Sequence, residues 1–223
     1  MRRNHLPVLM ALGLALAAPL VAQSSDVAAL NEAARVAVDR AEFEPDQAKQ
    51  STLYAEALRA ARRSVAADPK QAEGHFHVAR ALGRTALAAP ARDRVRLSVE
   101  VRAAVLTALT LDPDHAGALH VLGMWNAEVM RLNAVTRALA KNFMGGEELG
   151  KASWNEAVRL MERTVVLEPD RIVHRLDLAL VYRDVGRTDA ARAQLDWIAK
   201  ARATDFNDPH YMRAAAEARR RMR

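Results

Sequence analysis

The 223-residue sequence contains no cysteine and few aromatic residues. The absence of cysteine excludes disulfides, thiolate metal sites, cysteine-linked lipid anchors and cysteine nucleophiles. Aromatic residues make up only 4% of the chain, whereas hydrophobic residues make up 51%. The core is therefore expected to consist mainly of alanine, leucine and valine, which suits closely packed helices.

Motifs for enzymatic chemistry are also missing. The sequence has neither a glycine-rich phosphate loop nor a nucleophile elbow. His75 and His77 are two residues apart on an expected helix, so their side chains point to different faces. His115 and His120 are five residues apart, and neither pair has a suitably spaced carboxylate for metal binding. We therefore expect no enzymatic activity, no metal site and no cofactor.

The positive net charge does not indicate a nucleic-acid partner. The formal charge is +6 and the sequence pI is about 10.1, which by itself is compatible with binding to nucleic acid or anionic lipid. However, the 28 arginines far outnumber the 5 lysines and are scattered among acidic residues rather than collected in a stripe. This distribution is more typical of a base-composition bias, and we predict no nucleic-acid binding.

The N-terminus has the pattern of a secretory signal. A basic start is followed by an apolar run from Leu6 to Val21, and Ala22 then precedes a polar segment. We expect residues 1–22 to be a signal peptide cleaved near Ala22, and residues 23–223 to be the mature domain. The protein would then be exported, to the periplasm or beyond.

The alternative interpretation of this segment is an uncleaved inner-membrane anchor formed by residues 6–22. About 17 apolar residues are barely enough to span a bilayer. Pro7 and Pro19 weigh against a continuous spanning helix. Cleavage and export are therefore the prediction.

Three acidic-Pro pairs divide the rest of the chain into repeats, and their prolines are Pro69, Pro113 and Pro169. Proline ends one helix and fits the start of the next. The prolines are 44 and 56 residues apart, against about 34 residues in a standard tetratricopeptide repeat. We assign the excess to two insertions, at 85–94 and 133–150, each between the first and second helix of a repeat. Glu147 and Glu148, in the second insertion, are expected in a mobile loop, a poor place for a tuned general acid.

The stretch from Leu111 to Glu128 carries the clearest repeat signature. Asp112 is expected to cap the new helix. Leu119 and Leu122 share one face, and Gly123 leaves a notch for a neighbouring helix. Nine positions after each proline there is a branched apolar residue, and ten positions after it there is alanine or glycine. This regular spacing favours repeats over an irregular helical bundle. The predicted fold is an all-α, right-handed α-solenoid of about four tetratricopeptide-like hairpins, with two insertions and a C-terminal capping helix from about Pro209.

The central segment resembles the regulator of microtubule dynamics family. The resemblance covers roughly Ala55 to Ala203 and departs from the family pattern at Met124 and at Asn126 and Ala127. The residues that carry it are Asp112, Pro113, Ala116, Gly117, Ala118, His120, Val121, Leu122, Gly123, Trp125, Glu128 and Val129, followed by Lys151, Ala152, Ser153, Trp154, Glu156, Ala157, Leu167, Glu168 and Pro169. Eukaryotic members act through protein contacts, and some have lipid-binding roles at organelle membranes. The resemblance implies the fold and an adaptor-like function for an exported relative, but not a microtubule role.

The expected binding surface is the concave groove, which the first helix of each hairpin lines in such repeats. Residues at matching distances after the three prolines should line this groove, and they are a mixture of cationic and apolar side chains. Such a mixture suits a peptide or protein segment with acidic residues. The expected groove residues are Phe76, Arg80, Arg84, His120, Met124, Glu128, Leu176, Leu180, Arg183 and Asp184. We predict a non-enzymatic interaction module. The alternative is a carrier of lipid or another apolar ligand, with a cavity between the groove and residues 133–143.

Overall fold

The computed structural model describes residues 18–143 and 146–222. These residues form ten α-helices and one 3-10 helix. The helices are α1 Ala18–Ala41, α2 Gln47–Ala67, α3 Ala72–Ala88, α4 Ala91–Leu111, α5 Ala116–Arg131, α6 Ala134–Phe143, α7 Trp154–Leu167, α8 Ile172–Asp184, α9 Thr188–Ile198 and α10 Asp208–Arg221, with the 3-10 helix Glu147–Lys151 between α6 and α7.

The helices pack as four antiparallel hairpins in chain order. The pairs are α1 with α2, α3 with α4, α5 with α7, and α8 with α9. The first helices of successive hairpins also touch one another, because α3 packs against both α1 and α5, and α5 reaches α8. The helix α10 packs on α8 and α9 as a C-terminal cap. The predicted α-solenoid of helical hairpins is therefore confirmed.

The acidic residue of each acidic-Pro pair ends a helix instead of starting one. Asp68, Asp112 and Glu168 are the C-caps of α2, α4 and α7, and each backbone N–H donates to the carbonyl four residues earlier. The expected N-cap role of Asp112 is therefore wrong. His115 caps α5 instead, since its Nδ1 accepts the N–H of Ala118 at 3.2 Å. The proline occupies the turn between the two helices, which shifts the next helix start three residues onward.

The two insertions have different structures. The first lengthens α3 to Ala88 and begins α4 at Ala91, so it adds turns of helix to both arms of one hairpin. The second forms α6 and the 3-10 helix. Glu147 and Glu148 lie in that 3-10 helix, not in the expected loop, and Glu148 pairs with Arg102 of α4 at 2.5 Å. The expectation of a mobile loop failed because this pairing cannot be derived from local sequence.

Two buried polar contacts hold the centre of the stack together. The indole N–H of Trp125 donates to the carbonyl of Ser98 at 2.9 Å, which joins α5 to α4. The Asn126 side chain, only 4% exposed, donates to Leu122 O and accepts the N–H of Ser153 at 3.0 Å. Asn126 thereby fixes the start of α7 after the second insertion.

The last helix also reaches the first. The side-chain amide of Asn207 donates to the carbonyl of Asp39 at 2.8 Å. The ring of Phe43, just after α1, stacks on His210 at 4.1 Å and meets Tyr211 edge-on at 5.4 Å. The N-terminal and C-terminal ends of the described stack are therefore in contact across the inner side.

Most of the predicted leader lies outside the described residues, which begin at Ala18. Across 18–143 and 146–222, none of the helices combines the length and the apolar character that a membrane span requires.

Candidate functional site

Arg80 and Arg84 lie on the inner face of α3 and pair with carboxylates in and just after the last turn of α1. A terminal nitrogen of Arg80 lies 2.7 Å from Asp39 Oδ1. Arg84 forms an ion pair with Glu42, whose side chain is only 6% exposed. Asp39 also pairs with Arg35 of its own helix at 2.7 Å. The chain therefore neutralises these two predicted groove arginines with its own acidic residues.

His120, the third cationic candidate, also has an internal partner. Its Nε2 lies 2.8 Å from Asp177 Oδ2 on α8, and both side chains are largely buried. The His120 ring lies 4.6 Å from the ring of His174. Burial, together with the charges of His120, Arg171 and Arg80, lowers the pKa of His174 to about 2. Arg80 and His120, which follow their prolines by 11 and 7 residues, thus lie in one neighbourhood, around a histidine that stays neutral.

The predicted charged residues at the far ends of the inner helices form a separate cluster. Arg131 donates to Glu128 at 2.5 Å and to Asp184 at 2.8 Å. Arg183 contacts Asp184 at 2.8 Å as well. Arg131, which sequence reasoning missed, is the residue that joins α5 to α8 here. Its position three residues after Glu128 was the available signal.

The four apolar candidates pack between hairpins. The ring of Phe76 lies against the backbone of Gly117 and the ring of His115, 4.8 Å away. Met124 is partly buried against the core that α5, α7 and α8 share. Leu176 and Leu180 belong to the core between α8, α9 and α10. These side chains therefore stabilise the stack, and the ten predicted residues do not form one exposed surface. Their role in partner binding stays a prediction.

Two of the histidines considered as metal ligands share a structural carboxylate. The Nε2 atoms of His77 and His115 lie 2.9 and 3.0 Å from the two oxygens of Glu73. Hydrogen bonds from His115 and His77 hold the pKa of Glu73 well below its usual range. In the part of the chain that the structure describes, no group of three or more acidic or histidine side chains is arranged to hold a metal ion. The Glu73 cluster instead joins α3 to α5.

A cleft of about 410 Å³ opens on the other side of the stack, between α4 and α7, with α5 as its floor. This volume falls in the range of ligand pockets in proteins. Its apolar lining consists of Leu106, Leu109, Pro113, Leu119, Leu122, Trp125 and Leu160. The sequence pattern predicted Leu119 and Leu122 on one face, but not an open space above them.

The charged lining of the cleft is predominantly basic. Arg102, Lys151 and Arg159 contribute cations and Glu156 contributes one carboxylate. Arg102 is held in place because its guanidinium lies 5.5 Å from the centre of the Trp125 ring and also contacts Glu148. Lys151 and Arg159 are more than half exposed, at 58% and 63%. The cleft thus combines an apolar floor with one half-buried, fixed cation and two exposed ones.

A solved structure shares this architecture. The chain is similar to a thermophilic TPR protein of Thermus thermophilus, with a TM-score of 0.50 and 19% identity, over 89% of this chain and 94% of that one. It is also similar to a monomeric mutant of IFIT1 with Gppp-AAAA, with a TM-score of 0.49 and 15% identity, over 88% of this chain and 51% of that one. No curated protein matches in sequence. The likeness to the thermophilic TPR protein shows the fold alone.

The sequence family is shown by a broader match. The family model of regulator of microtubule dynamics protein 1-3 matches residues 11–223. This range includes the central segment on which the resemblance rested and extends it to almost the whole chain. The protein therefore belongs to the regulator of microtubule dynamics protein 1-3 family.

Proposed function

We propose that the protein is a non-enzymatic scaffold that binds a segment of a partner protein. The observation that carries this proposal is the open cleft on α4, α5 and α7, which is left between repeats while the ionisable groups of the inner face are paired with one another. Stacked helical repeats offer extended surfaces of this kind for partner binding. Paired and buried groups are poorly placed to exchange protons with a substrate.

The concave groove predicted from the sequence remains a second possible contact surface. A partner carboxylate that approached Arg80 or Arg84 would have to displace Asp39 or Glu42, and one that approached His120 would have to displace Asp177. Each new ion pair with the partner would therefore form only as an existing ion pair within the protein is broken. Partner binding at Arg80, Arg84 or His120 therefore requires the loss of an existing ion pair, whereas the apolar floor of the cleft is accessible without such a loss.

The second candidate function is a carrier of an apolar ligand. The apolar floor of the cleft supports it, although this cleft is open at its mouth and lies beside α5 rather than between the groove and residues 133–143. An enclosed site would suit a carrier better, because most of the ligand surface has to leave water. We therefore rank partner-protein binding first.

Site-specific photo-crosslinking tests the proposal in cells that make the full chain. A photoreactive amino acid would replace Leu106 in the cleft, Glu128 at the end of the inner face, or Arg59 on the exposed surface of α2. The proposal expects a discrete protein adduct from position 106 or 128 and none from position 59. Lipid adducts at position 106 without any protein adduct would favour the carrier. No adduct from any position would contradict both functions.

Export is part of the proposal, on the N-terminal pattern described above. We expect the mature protein in the exported fraction to begin near Gln23, because residues 1–22 would be removed after Ala22. Mass spectrometry of the intact protein and of its N-terminal peptide measures this directly. Recovery of Met1 or Arg2 on exported protein would instead favour the uncleaved anchor of residues 6–22.

A further inference from the structure

We propose that the cleft between α4, α5 and α7 binds an extended peptide segment in which a large apolar side chain is flanked by acidic residues. The inference rests on the proposed scaffold function and names both its surface and the chemistry of its partner.

The floor of the cleft favours an apolar side chain. Leu106, Leu109 and Leu122 are only partly buried, so they still present apolar surface to solvent within the cleft. Beneath them the indole of Trp125 is 6% exposed and held by its hydrogen bond to Ser98. Covering exposed apolar surface removes it from water and so favours the complex. A floor that is fixed in advance also avoids the entropic cost of ordering it on binding.

The mouth favours a negatively charged neighbour of that side chain. Three cations and one carboxylate line the cleft, and Glu148, which pairs with Arg102 and Lys151, reduces the local net charge to +1. Lys151 pairs with Glu148 at 2.6 Å and Arg159 with Glu156 at 2.7 Å, but both cations are more than half exposed. Exposed pairs of this kind contribute little to stability. A peptide carboxylate can therefore replace Glu148 or Glu156 as the partner of these cations with little loss of stability.

The cleft is a defined part of the fold and not a gap left by loose packing. The second insertion separates α5 from α7 in sequence, and the bond from Ser153 N–H to Asn126 fixes where α7 begins. The 3-10 helix then places Lys151 at the edge of the cleft, while its Glu148 is tied to Arg102 on the opposite wall. The two walls are thus set by buried or half-buried contacts, whereas Lys151 and Arg159 at the mouth stay more than half exposed.

Selection of phage-displayed random dodecapeptides on the immobilised full chain tests the inference. We expect enriched peptides to share a large apolar residue with an acidic residue within two positions of it. The selected peptide should bind at least tenfold more weakly to a Lys151→Glu, Arg159→Glu variant. The matched control is Arg59→Glu, Arg63→Glu on α2, which should bind as the parent does.

Two further variants separate the apolar contact from the charge. Leu106→Trp fills the cleft and should weaken binding at least tenfold, whereas Thr107→Trp, exposed on the same helix, should not. Circular dichroism melting checks that each variant is folded. The charge-reversed variant should in turn bind a peptide in which lysine replaces the acidic residue, which a merely misfolded variant would not do.

The outcomes distinguish this inference from the proposed function. Selected peptides that bind all cleft variants equally would overturn the cleft as the site and leave the scaffold function standing. Enriched peptides without acidic residues would overturn the predicted partner chemistry. If no peptide is enriched but vesicles of phosphatidylglycerol bind and Leu106→Trp abolishes that binding, the cleft is a lipid site and the inference is wrong.

Discussion

At the scale of single residues, the inner face depends on charge pairs whose members come from different helices. The Glu42 side chain is almost fully buried beside Arg84, and Asp39 is shared between Arg35 and Arg80. Removing one member of a buried pair leaves an uncompensated charge, which costs more than the intact pair contributes. These arginines therefore act first on folding, whatever their role in partner binding.

Charge reversal of both arginines should destabilise the protein. In the variant Arg80→Glu, Arg84→Glu, four carboxylates would face one another between α1 and α3. We expect the free energy of unfolding to fall by about 3 kcal/mol or more, measured by urea denaturation.

The control for this variant lies in the C-terminal tail. Arg219→Glu, Arg220→Glu breaks only the half-exposed contact with Asp196 and should cost about 1 kcal/mol or less. Partial recovery on adding Glu42→Lys to Arg84→Glu would confirm the pairing. Equal stability of the groove and tail variants would show that the inner pairs contribute nothing.

The buried histidine gives the protein a predictable response to acid. The pKa of His174 is about 2 in the folded protein, against about 6.5 in an unfolded chain. Glu168 lies 3.4 Å from its Nδ1 but is partly exposed, so it does not offset the burial. Below pH 6.5 the unfolded chain takes up a proton that the folded protein does not, and stability falls as the pH falls.

The substitution His174→Gln should remove this contribution. Between pH 6.5 and 5 the unfolding free energy of the parent should fall more steeply than that of the variant, by up to about 1.4 kcal/mol per pH unit. Denaturant titrations at half-unit pH steps measure the two slopes. Parallel slopes would mean that the folded protein and the unfolded chain protonate His174 over the same pH range.

Only part of this residue-level chemistry could be predicted from the sequence. Counting from the prolines placed Arg80 and His120 on neighbouring inner helices, and the structure does bring both close to His174. Their partners Asp39 and Asp177 could not be predicted, because the pairing depends on how far one helix is turned towards the next. That rotation is set by tertiary packing and not by the spacing of residues along one helix.

At the scale of the helices, the acidic-Pro turns and Gly123 specified the hairpins well. A Cβ atom built on Gly123 would lie 2.9 Å from the side chain of Met161 on α7. The predicted notch is therefore real, and α7 is the helix that fills it. The cleft could not be predicted in the same way. Its shape depends on where α7 packs against α5 after the second insertion, which the sequence does not specify.

Gly123→Leu should overpack α5 against α7. We expect a loss of roughly 1–3 kcal/mol, because the added side chain has to displace Met161. Gly83→Ala on α3 is the matched control, since its nearest neighbour would be 3.9 Å away. That change should be neutral or stabilise by up to about 1 kcal/mol, as alanine is the better helix former. Thermal melts of both variants would refute the packing argument if Gly123→Leu melted at the parent temperature.

At the scale of the whole molecule, the cap α10 connects the two ends of the stack. Contacts of Asn207 and Tyr211 with residues at the end of α1 add an interface that does not follow the chain order. Burial raises the pKa of Tyr211, and the nearby Glu42 carboxylate raises it further. The first and last repeats therefore share part of their stability.

Removing the contact between the end of α1 and the start of α10 should lower the local stability of both helices. In the variant Phe43→Ala, Asn207→Ala, we expect faster amide hydrogen exchange in α10 and in α1, although the helices are far apart in sequence. Phe206→Ala is the control, because that neighbouring ring is 72% exposed and its loss should change neither helix. Faster exchange in α10 alone would show that the two ends are energetically independent.

An open array of repeats has two free ends, and each can fray without disturbing the middle. The contacts of Asn207 with Asp39 and of Phe43 with His210 give the terminal repeats a second neighbour. Partial unfolding from one end then has to break two interfaces instead of one. The melting of this protein should accordingly approach a single all-or-none transition, with calorimetric and van't Hoff enthalpies close to each other.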